Sequence, residues 1–278
     1  MNVKNTVKLT LDVIMLLIVA LLYEKRVISM SFHEIVGLGV FFLFLIHLVF
    51  NQRWIKHVSK RILDKTLPTK TKLGYVINAL LVISWALVGI SGVLISKVVF
   101  HINVGGMLWK TVHYTSAAVS LILLGIHLGL HGTWLKGIVS KGTLWMKQAA
   151  KPIGMVCLTA SLLFGVYSIK TTNIMQWLTM PIVSMVQLGE QGDFSNGHSY
   201  GAKGFSQNNP TEKGERKKFG ESRDMPTPKS ETNAGSVGFE FKLGNVIKVV
   251  CSYGSIMILI ATIVYGIEMF IKRKRLIR

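Results

Sequence analysis

The chain has 278 residues, half of them hydrophobic, a mean hydropathy of +0.45 and 16% charged residues, where a soluble domain carries roughly 25%. That excludes a soluble enzyme. The formal charge of +19 does not make a nucleic-acid binder either, because the basic residues gather beside apolar runs and in a polar segment, with no zinc-finger or RNA-binding signature.

Six apolar segments follow one another, at 9–23, 32–50, 75–96, 112–130, 153–169 and 246–271. A bilayer span takes roughly 17–25 mostly apolar residues, so the pattern predicts six spans. The first, LTLDVIMLLIVALLY, is the shortest and carries Asp12. Lys4 and Lys8 precede it as in a signal peptide, but no small-x-small cleavage site follows, and the expectation is a retained helix. Cys157 and Cys251 fall in apolar stretches and are expected as buried thiols at opposite membrane faces, too far apart for a disulfide.

The connections give the orientation. The 51–72 stretch holds Arg53, Lys56, Lys60, Arg61, Lys65, Lys70 and Lys72 against Asp64; the 131–151 stretch holds Lys136, Lys141, Lys147 and Lys151 with no acid; the tail ends KRKRLIR. The 24–31 and 97–111 connections are lighter in charge. The positive-inside rule places both termini and the two heavy connections in the cytoplasm. The 171–245 segment then lies outside. It opens with TTNIMQWLTMPIVSMVQLG, read either as an interfacial helix anchored by Trp177 or as a membrane-proximal loop. From 189 onward it is rich in Gly, Ser, Asn, Lys and Glu, with Pro210, Pro226 and Pro228, and is expected as a loosely ordered external loop.

An internal repeat carries the chemistry. FHEIVGLGVFFLFLIHLVFNQRWIK, from Phe32 to Lys56, matches VHYTSAAVSLILLGIHLGLHGTWLK, from Val112 to Lys136, at an offset of 80 residues. His33 aligns with His113, His47 with His127, Trp54 with Trp134 and Lys56 with Lys136. Fourteen residues of helix rise about 21 Å and fall roughly 40° short of four full turns, so both histidines of each helix share a face. The two helices run parallel, which puts His33 and His113 at an outer level and His47 and His127 at an inner one.

Two facing imidazole pairs are the axial ligand set of two bis-histidine haems. Zinc asks for three or four protein ligands, and neither level offers them. Gly37, Gly39, Ser116, Ala117 and Ala118 are small enough to open a slot for a macrocycle, and Gly89, Gly92, Gly125 and Gly129 allow close approach of helices. With no CxxCH, the two haem b groups are expected to be bound non-covalently. The alternative, histidines satisfied by helix–helix hydrogen bonds, fits one such residue better than four in register. His131, where the first repeat has Asn51, reads as an alternative inner ligand, a quinone or propionate contact, or an interfacial histidine. His57, His101 and His198 read as loop residues. Lys25, Arg26 and Arg53 stand near helix ends as propionate partners or topology-setting charges, and Trp54, Trp109 and Trp134 as interface anchors.

The segments HEIVG at 33–37, IHLVFNQRWI at 46–55, SG at 91–92 and VHYTSAAVSLILLGIHLGLHGTWL at 112–135 resemble the small bacterial b-type cytochromes of the DUF4405 type, the flavinylation-associated cytochromes, and the di-haem four-helix core of respiratory cytochrome b. The resemblance covers about residues 9–140. It implies two b haems carrying electrons across the membrane toward an extracytoplasmic flavin-bearing partner. Many relatives have HW before the terminal tryptophan region where this chain has NQRW and HGTW, and NAGSVG at 233–238 is only superficially like a flavin-attachment motif.

The expected fold class is therefore all-α, a polytopic membrane bundle with a four-helix di-haem core and two further transmembrane helices. The expected organisation is a core at 1–140, a fifth helix and its approach at 141–170, the external loop at 171–245, and a sixth helix with a basic tail at 246–278. The expected function is electron transfer across the cytoplasmic membrane, from a quinol or cytoplasm-side donor to an extracytoplasmic flavin or redox-protein partner. The alternatives are a self-contained quinol-oxidising or metal-reducing oxidoreductase, and a haem-free transporter or structural protein.

Overall fold

A computed structural model of the chain describes residues 3–25, 28–102, 104, 106–134, 137, 144–192 and 243–276, and every regular element among them is a helix. These are α1 Val3–Leu22, α2 Met30–Arg61, α3 Thr69–Leu94, α4 Gly106–Leu130, α5 Leu144–Thr171, α6 Ile174–Gly192 and α7 Leu243–Leu276. The chain is an all-α membrane helical bundle. Five stretches are long and apolar enough to cross a bilayer: α2, α3, α4, Met155–Val186 and Leu243–Lys274. Helix α1 covers the first expected segment up to Leu22 and carries Asp12 within it. The fifth extends well past the expected end at 169, running from α5 into α6 through the bend at Thr172 and Asn173.

Local signals set the helix ends. Ser29 caps α2 by accepting the Phe32 amide on its hydroxyl, and Lys60 and Arg61 sit in the last turn, where cations complement the helix dipole. In the connection to α3, Asp64 accepts the amide and hydroxyl of Thr66 and a guanidinium hydrogen bond from Arg61. These donors hold its carboxyl below the usual carboxylate range.

The packing closes a ring. Helix α1 lies against α2, α2 against α3, α3 against α4, α4 against α7, and α7 against α1. The two histidine helices, α2 and α4, are thus kept apart with α3 on one side and α1 and α7 on the other. The expected four-helix core is in this respect incomplete, because α7 takes a place in it beside both α1 and α4. Helix α5 packs on α7, and α6 lies against α4.

The main core lies where α1, α4, α6 and α7 meet: Val19, Ala20, Ala118, Leu121, Ile174, Ile256 and Met257 are buried there. Trp177 is buried in it too, stacked on Tyr114 at 5.6 Å and parallel to Tyr253 at 6.3 Å, while Tyr23 stacks on Tyr253 at 4.9 Å. Such ring pairs add about 0.5–1.5 kcal/mol each beyond area burial. Trp177 is therefore not an anchor at the lipid interface; it seats α6 on the bundle because three tyrosines offer it an apolar stack. Cys157 and Cys251 are free, and both are exposed on the outsides of α5 and α7 rather than buried, as apolar residues on lipid-facing helix surfaces are.

Candidate functional site

Helices α2 and α4 bring His33 and His113 together, their ring centroids 6.3 Å apart and their planes turned by 73°. His113 donates from Nδ1 to the Val88 carbonyl at 3.1 Å, which leaves its Nε2 bare. Gly92 makes room for that ring: a Cβ there would stand 3.3 Å from His113 Cε1. The Nδ1 atom of His33 is buried without a hydrogen-bond partner, a costly state for a polar atom unless something completes it.

The pair opens on a cavity of about 760 Å³, inside the range of roughly 300–1,000 Å³ typical of cofactor pockets. Gly37, Phe41, Trp85 and Ala117 line it, and a Cβ at Gly37 would meet only open space. The small-residue slot is therefore built from Gly37 and Ala117. Gly39 is exposed, while Ser116 and Ala118 are buried, Ala118 in the main core.

At the lip, Lys25 donates to the Tyr114 hydroxyl at 2.8 Å. Glu34, beside His33, accepts the Ser96 hydroxyl and the amides of Lys97, Val98 and Val99 at 2.8–3.0 Å. This carboxylate latches the α3–α4 connection against α2.

The His47–His127 level is built differently. His47 donates from Nδ1 to the Asp12 carboxylate at 2.7 Å, and His127 donates from Nδ1 to the Asn78 side-chain oxygen at 2.7 Å. Among the described residues no ring contact joins His47 to His127. His127 lies against His131, with centroids 4.7 Å apart, and within electrostatic reach of His47 and Asp12. Asn51 donates from Nδ2 to the His47 carbonyl at 2.9 Å and to His47 Nε2 at 3.3 Å. In both repeats the residue four positions on thus folds back over its histidine.

Three of the four histidines consequently have Nδ1 tied to an acceptor, the arrangement that fixes tautomer and ring direction in metal-ligating histidines. Of the other residues singled out from the sequence, Arg53, His57, His101, Trp54 and Trp134 are exposed. Arg26, His198, the 233–238 segment and the polar loop from 193 to 242 lie outside the described residues. The acceptors Asp12 and Asn78 and the latch Glu34 are new; the one sequence signal among them was an acid inside an apolar run. Among the described residues no group of three or more His, Cys, Asp and Glu side chains is placed to hold a metal ion.

No family model matches the chain, and neither the curated proteins nor the solved structures hold one similar to it.

Proposed function

We propose that the chain is a membrane b-type cytochrome holding two bis-histidine haems, His33 and His113 at the outer level and His47 and His127 at the inner level. The observation that carries this reading is the facing His33 and His113 imidazoles on an apolar cavity, with His113 Nδ1 tethered to the Val88 carbonyl so that its Nε2 remains for a ligand. The His33–His113 residues fit haem in size and donor set; the His47–His127 residues fit in donor set once Asn51 releases His47 Nε2. Bound there, haem supplies one-electron oxidation and reduction without transferring any other atom.

The protein's part is to place and shield. Val88 and Asn78 aim the α4 imidazoles, Gly37 and Gly92 leave room beside them, and Phe41 and Trp85 give the cavity apolar walls. Lys25 at the lip is the cation suited to a propionate. Electrons pass between a quinol or cytoplasm-side donor and an extracytoplasmic flavin or redox-protein partner.

Pyridine haemochrome analysis of protein purified from haem-replete membranes is expected to give two non-covalent haem b per chain. A value near zero would overturn the reading, and a value of one would leave the inner histidines structural. Orientation is tested separately by reporter fusions. Lys60, Lys141 and the C-terminus should report cytoplasm, and positions in 190–240 the outside; an external signal at Lys60 inverts the scheme without altering the histidine pairs.

A further inference from the structure

Three acceptors hold the Nδ1 protons of the candidate ligands, and they are not equivalent. His113 has a backbone carbonyl, Val88 at 3.1 Å. His127 has a neutral amide oxygen, Asn78 at 2.7 Å. His47 has a carboxylate, Asp12 at 2.7 Å. Asp12 is the single acidic residue of α1, in the midst of LTLDVIMLLIVALL. An acid in an apolar membrane helix is expensive and is normally there for a partner. Its partner is a side chain on a different helix, 35 residues away, so helix propensity does not explain it, although the Asp12 side chain is 42% exposed.

Hydrogen bonding to the far nitrogen is a lever on a metal-bound imidazole. An acceptor that draws the Nδ1 proton makes Nε2 a stronger donor, and a stronger donor favours the more highly charged, oxidised metal. A carboxylate does this more than an amide or a backbone carbonyl, since hydrogen bonds to an ionised partner are about twice as strong.

We propose that Asp12 is a positioning residue that makes the His47–His127 level the low-potential centre. The direction of downhill electron transfer is then from the His47–His127 level to the His33–His113 level. This rests on the haem reading above and adds a direction to it.

The test is redox titration of the intact protein, followed optically and by EPR, with the inner component assigned by its loss in His47→Ala. In the unsubstituted protein the inner component should be the lower in potential. Asp12→Asn keeps an oxygen for the Nδ1 proton and removes the charge. It should raise the inner component by at least tenfold in its reduced-to-oxidised ratio, 59 mV for one electron, and leave the outer component in place. The converse substitution, Asn78→Asp, puts a charge on the other inner ligand and should lower the same component; it serves also if Asp12→Asn fails to accumulate. An inner component that is the higher of the two, or that neither substitution moves, overturns the proposal while the haem reading stands. Absence of haem from the unsubstituted protein overturns both, and is seen before any variant is made.

Discussion

Replacing His33 or His113 with alanine is expected to abolish one and the same haem component, and replacing His47 or His127 the other. The outer expectation follows from the 6.3 Å separation of the His33 and His113 rings. Removing either imidazole leaves iron with one protein ligand, so the affected component should vanish or turn high-spin. The other component, about 21 Å away along the helices, should keep its low-spin spectrum. His131→Ala should preserve both components. Its ring touches His127, but His127 is the one whose Nδ1 is tied to an acceptor. The measurement is an optical and EPR redox titration of each single variant. If His33→Ala and His127→Ala remove the same component, the pairing by level is wrong. If both components survive all four substitutions, the histidines are structural.

That His33 and His113 meet was legible because a helical repeat fixes two coordinates at once, whereas no ring contact joins His47 to His127 among the described residues. A spacing of fourteen sets the rise along α2 and α4, and the small angular remainder sets a common face. What tethers those histidines was not legible, because Asp12 and Asn78 lie on α1 and α3 with no register to the repeat; only the packing of the ring brings them to His47 and His127. Glu34 is next to His33 in sequence yet reads as one polar residue at a helix start. Its role depends on the amides of 97–99, which lie 63 to 65 residues on. The membership of α7 in the ring was hidden for a different reason. An apolar helix advertises burial in lipid or protein without naming its neighbour.

The neighbour of α7 is named by glycines, and they supply the second large expected effect. On α4, Gly125 and Gly129 are one helical turn apart, and both face α7. A Cβ at Gly129 would stand 2.7 Å from the Ala261 carbonyl oxygen and 2.7 Å from Val264 Cβ, and one at Gly125 2.9 Å from Ile260 Cβ. Small residues at this spacing let membrane helices approach backbone to backbone. His127 lies two residues from each, about 200° around the helix, so the glycine face and the histidine face of α4 are opposed. The close seat on α7 therefore sets how far His127 is held back from α2. Gly129→Ala forces α4 and α7 apart, since the atoms met belong to backbone and to a stiff β-branched side chain. Overpacking of this kind costs about 1–3 kcal/mol, several degrees in Tm. Gly266→Ala on α7 is the control, because a Cβ there meets nothing within 4 Å, and loss of helix-interior glycine should leave stability unchanged or raise it by up to about 1 kcal/mol. Thermal unfolding of the two variants in the same detergent checks the difference. Because the displacement acts on the inner half of α4, the component lost in His127→Ala should loosen first as Gly129→Ala is heated, with the His33–His113 component following. Equal Tm values for the two variants would mean that α4 and α7 are not in contact along this face.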